Sequence, residues 1–232
     1  EDGRYGGPQA RMLEINKNIN KKKFNIYFLI PKKIKIFKKR LKNINANFEE
    51  INLTRLSADI RTLLKYIFFF LYEIYNLVKI FKSKKFDLIQ SNGVPQFKTI
   101  IAAKISRIPS IWIVEDAYSP KIIVILFRFL AKISNCKIIY ISKKSYNFYL
   151  KDTNINNKNL FEVMSPTDSK FFKRKKKISN NKNILITTVS GIIPVKGVDD
   201  FLRVAKKILV NFKNVNFVFI GRKINTQKNY HN

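Results

Sequence analysis

The sequence predicts an α/β fold in which parallel strands are covered by helices on both faces. Short apolar runs alternate with helical patterns along most of the chain. The strand-like runs, such as residues 24–30 and 111–114, are continuously apolar, which is typical of parallel strands buried on both faces. Polar, glycine and acidic residues follow several of these runs. Open α/β sheets bind ligands at the carboxyl ends of their strands, so the sequence also predicts where a site would lie.

The composition limits the classes of partner. The chain has 232 residues, is 46% hydrophobic and carries a net charge of +31. Nucleic-acid binders concentrate their charge and favour arginine, whereas here 36 lysines are spread along the chain against 10 arginines. We therefore do not favour nucleic acid as a partner. Dispersed lysines do suffice for contact with an anionic membrane surface.

Cysteine and histidine are almost absent, which excludes several kinds of chemistry. The single cysteine, Cys136, rules out an internal disulfide, fits a reducing cytoplasm and is expected to be a small buried residue. The only histidine is His231, next to the last residue. A His-dependent catalytic triad and a His-rich metal site are therefore excluded, and we expect no metal and no cofactor.

The first part of the chain contains five predicted strands and six predicted helices. The strands are expected at residues 24–30, 47–53, 86–90, 111–114 and 137–141, and the helices at residues 10–20, 34–41, 57–82, 95–107, 120–132 and 143–150. Residues 161–172 have the composition of a crossover segment between two domains.

The longest helical pattern covers residues 57–82. Ser57 is expected to cap it, with Asp59 in the first turn. Lys65, Glu73 and Lys79 interrupt the apolar run, so the helix does not span a membrane. Its aromatic excess leaves two interpretations open: a helix packed on a sheet, and a helix that also makes shallow contact with a membrane.

A strand, a tight loop and a helix follow a basic linker at residues 173–182. The strand is expected at residues 183–188, the helix at residues 198–211 and a further strand at residues 216–220. In the loop between the first strand and the helix, Gly191 and Gly197 permit close backbone approach. Lys196 lies at the start of the helix. Free amides and the helix dipole at that point suit a phosphate. The same spacing also fits a structural turn with a solvated lysine.

Candidate ligand-binding residues follow the predicted strands. Glu115 and Asp116 are the candidate catalytic residues, and they are equally compatible with capping the helix that begins near Pro120. Asn92 and Gly93 suit a structural turn that lines a cleft. The cleft-lining candidates are Asn92, Gly93, Ser142 and Gly221.

With these residues in view, the chain resembles the family-four glycosyltransferases, which have the GT-B fold of two Rossmann-like domains. The motifs that carry the resemblance are Gly6-Gly7-Pro8-Gln9 with Arg11 and Leu13, residues 87–93, residues 165–172, residues 189–199 (VSGIIPVKGVD) and residues 218–222. The resemblance implies an acceptor-side domain over residues 1–172, a linker over 173–182 and the start of a donor domain over 183–232. A first strand before Glu1 and most of the second domain are expected to be missing, so we expect a fragment that is inactive by itself.

The resemblance also implies roles for individual residues. Gly6 and Gly7 form a Gly-rich loop at the cleft, while Lys196, with Gly197 and Gly191, binds the donor diphosphate. Fixed cations stabilise the charge that builds on a departing diphosphate. Gly191 stands where the family has an arginine, and Glu115-Asp116 stand where it has a histidine. The family's paired-glutamate motif is expected beyond Asn232.

The main functional hypothesis is a retaining glycosyltransferase that moves a sugar from a nucleotide-diphosphate donor to an envelope lipid or polysaccharide acceptor. Its expected location is the cytoplasm, with peripheral contact at the inner face of the cell membrane. One alternative is a non-catalytic basic module that binds nucleic acid or an anionic membrane. Another is a nucleotide-dependent enzyme such as a dehydrogenase, but no G-x-G-x-x-G motif follows a strand in this sequence.

Overall fold

The chain divides into two compact units, residues 1–171 (unit 1) and residues 172–232 (unit 2). The computed structural model describes residues 5–32, 34–166 and 183–221. The predicted linker at 173–182 lies outside these residues, and the predicted domain boundaries stay predictions.

Unit 1 contains the helices and strands of the first part of the chain. Its helices are Gly7–Asn18 (α1), Lys35–Asn43 (α2), Ile60–Phe68 (α3), Phe70–Lys84 (α4), Phe97–Ile105 (α5), Lys121–Ser134 (α6) and Lys143–Tyr149 (α7). Its strands are Tyr27–Pro31 (β1), Asn47–Ile51 (β2), Ile89–Asn92 (β3), Ser110–Val114 (β4), Lys137–Tyr140 (β5) and Leu160–Glu162 (β6).

All described strand pairs are parallel, which confirms the predicted fold class. In unit 1, β1 pairs with β2, and β3, β4, β5 and β6 form a four-stranded sheet in that order. In unit 2, strands Ile184–Val189 (β7) and Val215–Ile220 (β8) pair in parallel and are joined through helix Val198–Asn211 (α8). Because parallel strands point the same way, the residues after β3, β4 and β5 meet at one edge of the sheet.

An aromatic chain fills the core beside the four-stranded sheet. Trp112 of β4 makes edge contacts with Phe97 of α5 and Phe127 of α6, and Phe127 contacts Tyr149 of α7. The four rings are buried and belong to one apolar cluster. Cys136 lies in the same cluster, which confirms the prediction that it is a buried small residue, and burial raises the pKa of its thiol.

The predicted single helix over residues 57–82 is wrong in two respects. It is broken at Phe69 into α3 and α4. Asp59, not Ser57, caps α3, because the Asp59 carboxylate accepts hydrogen bonds from the backbone amide and hydroxyl of Thr62, at 2.9 and 2.6 Å. The Ser57 hydroxyl instead accepts from the Asp59 amide.

A buried polar network lies where α3, α4 and α5 meet. The Glu73 carboxylate accepts hydrogen bonds from the backbone amide and the hydroxyl of Thr54, at 2.9 and 2.7 Å, and pairs with the Lys98 ammonium. Lys98 also donates to the Thr54 carbonyl at 2.6 Å and lies over the Tyr66 ring. This network joins the segment after β2 to three helices.

Other boundaries shift by a few residues, and one strand was missed. The predicted strand at 86–90 begins only at Ile89, so Asp87 and Leu88 precede it. The first residues of the predicted crossover segment belong to β6, which extends the sheet beside β5. Its remaining part from residue 167 lies outside the described residues. Helix α8 has the bounds that its apolar spacing predicts.

Candidate functional site

The carboxyl edge of the four-stranded sheet carries the candidate site of unit 1. Asn92 ends β3, Glu115 and Asp116 follow β4, and Ser142 follows β5. Asn92 pairs in register with Ile113, so the ends of β3 and β4 are directly adjacent. The strand-end residues predicted from the sequence in this unit therefore lie at one edge of the sheet.

Asn92 and Gly93 form a turn at this edge. Gly93 adopts a φ of +90°, which favours glycine, and its amide donates to the Ile113 carbonyl at 2.9 Å. Its carbonyl accepts from the indole Nε1 of Trp112 at 2.9 Å. The side-chain amide of Asn92 reaches Met12 Sδ at 2.8 Å and thereby connects the end of β3 to α1.

Glu115 is a half-buried carboxyl group with an unusual protonation equilibrium. Burial raises its pKa to about 7, the positive charge of Arg11 acts in the opposite direction, and the neighbouring Asp116 adds to the rise. The carboxyl group therefore changes charge near neutral pH. A group with such a pKa suits proton transfer at physiological pH.

Arg11 and Ser91 are polar residues of this edge that the sequence analysis did not select as site residues. Arg11 lies on α1 with 6% of its surface exposed, and Ser91 lies on β3 with 3% exposed. Within the part of the chain that the structure describes, Arg11 Nε, Arg11 Nη1 and Ser91 Oγ have no hydrogen-bond partner. Buried polar groups are normally satisfied, so these atoms point to a partner supplied from elsewhere. The sequence pointed to Arg11 only as part of the motif that begins at Gly6, in which Arg11 lies four residues after Gly7.

Asp116 is fixed by a tyrosine from α7. The Tyr149 hydroxyl donates to the Asp116 carboxylate at 2.6 Å and lies 2.8 Å from Ser119 Oγ. Burial and the bond to Asp116 both raise the pKa of Tyr149, so this hydroxyl stays protonated. Helix α6 begins after Pro120 without a side-chain cap, so the alternative that Glu115 or Asp116 caps it is wrong.

Ser142 and the two early glycines lie at helix N-termini. Ser142 caps α7, because its hydroxyl accepts from the Ser145 amide at 3.2 Å. Gly6 precedes α1 and its amide donates to Gln9 Oε1 at 3.0 Å. A Cβ added to Gly7 would have no atom within 4 Å, so the surface at the start of α1 is open.

In unit 2, Lys196 and Gly197 lie between β7 and α8. Residues Pro194–Lys196 form a 3₁₀ turn, and Gly197 then adopts a φ of +66° at the start of α8. Such a φ strains any residue with a Cβ, which explains the glycine. Lys196 is exposed at this turn. Gly191 lies earlier in the loop, and its carbonyl accepts from the Ile193 amide at 3.0 Å.

The amides of Lys196 and Gly197 themselves are used within the turn, whereas the prediction of free amides at the start of α8 stays a prediction. The Lys196 amide donates to the Ile193 carbonyl at 3.0 Å and the Gly197 amide donates to the Pro194 carbonyl at 2.9 Å. Asp199 and Asp200 lie in the first turn of α8, where their charge offsets the positive end of the helix dipole. An anion at this loop would therefore bind the Lys196 ammonium without help from the amides of Lys196 and Gly197.

Gly221 follows β8 and packs closely against the exit of β7. A Cβ at this position would lie 2.0 Å from the Ser190 carbonyl oxygen. The Ser190 amide donates to the Ile220 carbonyl at 3.0 Å, which holds the two strand ends together. Close backbone approach is sufficient to explain the glycine, and it places Gly221 beside the start of the Lys196 loop.

The described residues contain no group of three or more His, Cys, Asp and Glu side chains that could hold a metal ion. Within the same residues, every helix is too short or too polar to cross a membrane.

One curated protein is similar to this chain in sequence. The UDP-N-acetylglucosamine--N-acetylmuramyl-(pentapeptide) pyrophosphoryl-undecaprenol N-acetylglucosamine transferase of Prochlorococcus marinus (strain MIT 9515) is 28% identical over an alignment 189 residues long. The alignment covers 76% of this chain and 49% of the relative. The chain thus spans about half the length of this curated relative. No protein-family profile matches the chain.

Solved structures decide the fold. Anabaena HepE, solved in complex with UDP, matches with a TM-score of 0.71 at 16% identity, over 100% of this chain and 62% of that chain. MurG of Acinetobacter baumannii matches with a TM-score of 0.54 at 15% identity, over 92% of this chain and 55% of that chain. The chain has the GT-B glycosyltransferase fold. The predicted GT-B fold class is therefore confirmed, while assignment to family four stays a prediction.

Proposed function

We propose that the chain belongs to a glycosyltransferase that moves a sugar from a nucleotide-diphosphate donor to a lipid-linked or polysaccharide acceptor of the cell envelope. The observation that carries the proposal is the GT-B fold, which extends over the whole chain in the likeness to HepE. HepE was solved with UDP, and the name of the curated relative describes N-acetylglucosamine transfer to a pyrophosphoryl-undecaprenol acceptor. Both point to a uridine diphosphate sugar as donor, and the name of the curated relative favours a lipid-linked acceptor.

On the donor side, Lys196 is the proposed diphosphate ligand. It is exposed at the turn before α8, beside Gly197 and the Gly191 segment. The leaving diphosphate gains negative charge as the glycosidic bond breaks, and a fixed ammonium stabilises that charge. The amides of Lys196 and Gly197 are already used within the turn, so the proposed contact to phosphate is made by the ammonium.

On the acceptor side, Glu115 is the proposed catalytic group. Its pKa of about 7 lets the carboxylate accept a proton from an acceptor hydroxyl near neutral pH. Arg11 and Ser91 offer unsatisfied donors at the same sheet edge, which suit an anionic or hydroxyl-rich acceptor. Asp116, held by Tyr149, has a positioning role in this proposal.

Three further features of the proposed reaction follow from the resemblance to the family-four glycosyltransferases. They are retention of the anomeric configuration, activity without a metal ion, and a cytoplasmic location at the inner face of the cell membrane. The anomeric proton coupling of the product in an NMR spectrum distinguishes retention from inversion. Addition of a chelator during turnover tests the metal-free reaction.

Substitution of Lys196 tests the donor site. Lys196→Ala should weaken the affinity for UDP by about tenfold or more, because a charge-assisted contact to phosphate is lost. Lys206→Ala is the matched control, since Lys206 is an exposed lysine of α8 outside the loop. Calorimetric titration with UDP and UDP-sugars measures the affinity. Equal affinity for UDP in wild type and Lys196→Ala would show that Lys196 does not bind the diphosphate.

The second candidate is a basic binding module without catalysis, favoured by the net charge of +31. Such a module would bind nucleic acid with a steep dependence on salt and would have no affinity for nucleotide sugars. Binding titrations with duplex DNA, single-stranded RNA and UDP-sugars at two salt concentrations separate the two candidates.

A further inference from the structure

A cavity of about 210 Å³ lies in unit 1, between the ends of β1 and β2 and helix α4. Lys32 directly follows β1 and Asn52 directly follows β2, and both line the cavity. The lining on the helix side includes Asn76, Leu77 and Lys79 of α4. Because parallel sheets bind ligands at the carboxyl ends of their strands, the cavity has the position of a ligand site.

The lining combines apolar side chains with two free carboxamides. Leu77 is buried, and Leu53 and Ile80 are half-buried beside it. Asn52 and Asn76 also line the cavity, and within residues 5–32, 34–166 and 183–221 neither carboxamide has a hydrogen-bond partner. Each carboxamide offers both donors and an acceptor. A sugar ring has an apolar C–H face and hydroxyl groups, so this lining suits a sugar.

The charged side chains of the cavity leave a surplus of positive charge. Its two carboxylates, Glu50 and Glu73, are each paired with a lysine that lies outside the lining. Lys32 and Lys79 are exposed at the cavity and form no ion pair among the residues that the structure describes. Two ammonium groups are therefore available for an anionic group of the ligand.

The size of the cavity limits the ligand to a single small unit. Sites that enclose a drug-sized ligand measure about 300–1,000 Å³, and this cavity is smaller. It therefore suits one monosaccharide unit and not an oligosaccharide. A bare phosphate would leave the apolar side chains in water, whereas a sugar that carries a carboxylate uses the apolar, amide and cationic groups together.

A buried network connects the cavity with the rest of unit 1. The Glu73 carboxylate, which lines the cavity, accepts from the amide and hydroxyl of Thr54 at 2.9 and 2.7 Å. Lys98 in the first turn of α5 donates to the Thr54 carbonyl at 2.6 Å. Leu56 packs against the buried cluster that contains Val114, the last residue of β4. The segment after β2 thus leads from the cavity toward the sheet edge that carries the candidate site.

We propose that this cavity binds one carboxylate-bearing monosaccharide unit of the acceptor. The carboxamides of Asn52 and Asn76 bond its hydroxyl groups, and Leu77 contacts the C–H face of its ring. The ammonium groups of Lys32 and Lys79 bind its carboxylate. That the sugar belongs to the acceptor rests on the proposed function, whereas binding of the sugar needs neither a donor nor turnover.

Titration of the protein with glucuronate, followed in ¹⁵N-edited NMR spectra, tests the cavity. Glucuronate should shift the side-chain amide signals of Asn52 and Asn76. Lys32→Gln/Lys79→Gln should weaken the affinity for glucuronate by about tenfold, because charge-assisted hydrogen bonds to the carboxylate are lost. The same variant should leave the affinity for glucose, which has no carboxylate, unchanged. Asn76→Leu should weaken the binding of both sugars.

Lys65→Gln/Lys82→Gln is the matched control. It removes two exposed lysines of α3 and α4 that lie outside the lining, so the net charge changes by the same amount. We expect this variant to bind glucuronate like wild type, and far-UV circular dichroism checks that each variant is folded. Unshifted signals of Asn52 and Asn76 would overturn the proposal. Equal weakening by the two double variants would overturn it too, since it would show only a general attraction to a basic chain.

Failure of the cavity and failure of the proposed function give different results. Glucuronate that binds as expected, in a protein with no affinity for UDP-sugars, would leave the cavity as a sugar site and remove the acceptor as its source. Sugar transfer from UDP-sugars without glucuronate binding would overturn the cavity alone.

Discussion

Among single residues, Glu115 and Arg11 are the two charged groups whose surroundings are most unusual at the candidate site of unit 1. Burial holds the pKa of Glu115 at about 7, against its ordinary value of 4.5, even though the charge of Arg11 lowers it. Arg11 itself has two unpaired nitrogens among the described residues. The candidate site therefore holds a carboxyl group that changes charge near neutral pH and a buried cation that acts on its pKa.

The stability of the protein should record the shifted pKa of Glu115. Below about pH 4.5 the carboxyl group is protonated in the folded and unfolded states. Between about pH 4.5 and 7 only the unfolded state loses the proton, so wild-type stability falls as the pH rises. Glu115→Gln removes this dependence and should gain about 2–3 kcal/mol relative to wild type between about pH 4 and pH 8.

Urea unfolding of both proteins at several pH values measures this difference. Asp87→Asn is the control, since Asp87 is an exposed carboxylate before β3. A difference between Glu115→Gln and wild type that does not change with pH would show that burial does not shift the Glu115 pKa.

The buried network of Thr54, Glu73 and Lys98 matters at the scale of elements, because it joins α3, α4 and α5. Lys98 is fully buried and Glu73 nearly so. Lys98→Met should destabilise unit 1 by about 3–5 kcal/mol, because it leaves the Glu73 carboxylate buried without its cation. Lys98→Met/Glu73→Leu should recover most of this loss. Chemical denaturation measures the stability of both variants. A double variant as unstable as the single one would mean that lost packing, and not the unpaired charge of Glu73, causes the destabilisation.

Most element types were predictable from the sequence because they depend on local periodicity. Helix α8 follows from its apolar spacing, and the parallel sheet follows from continuously apolar strands. The break at Phe69 was not predictable, since apolar residues on both sides continue the helical pattern. The short strand β6 has too few residues to carry a periodic signal.

The candidate site was predictable only in part, because only some of its residues follow from a local sequence pattern. Strand-end residues such as Asn92 and Glu115 follow from the rule for parallel sheets. The burial of Arg11 and Ser91, and the bond from Tyr149 to Asp116, depend on contacts between residues far apart in sequence. No local pattern encodes such contacts.

At the scale of the whole molecule, the two units differ in how much apolar surface they bury. Unit 1 has three apolar clusters, whereas the described part of unit 2 buries Val198, Ala205 and Val215. Burial of apolar area is the main source of stability, so unit 2 should unfold at a lower denaturant concentration. The only tryptophan, Trp112, lies in unit 1 and reports on that unit alone.

Two probes should therefore give different unfolding curves. Far-UV circular dichroism should lose part of its signal before the Trp112 fluorescence changes. Coincident curves from the two probes would show that the units unfold as one cooperative body.

The proposed activity is the transfer of a sugar from a nucleotide diphosphate to an envelope acceptor. It is tested most directly with UDP-N-acetylglucosamine and other UDP-sugars labelled in the sugar, the longest natural form of the protein, and vesicles that contain undecaprenyl-linked lipid. We expect label in an organic-extractable or polymeric product, release of an equal amount of UDP, and much slower transfer by Lys196→Ala. UDP-sugars that remain intact, or release of free sugar at the same rate with and without acceptor, would contradict the proposed activity.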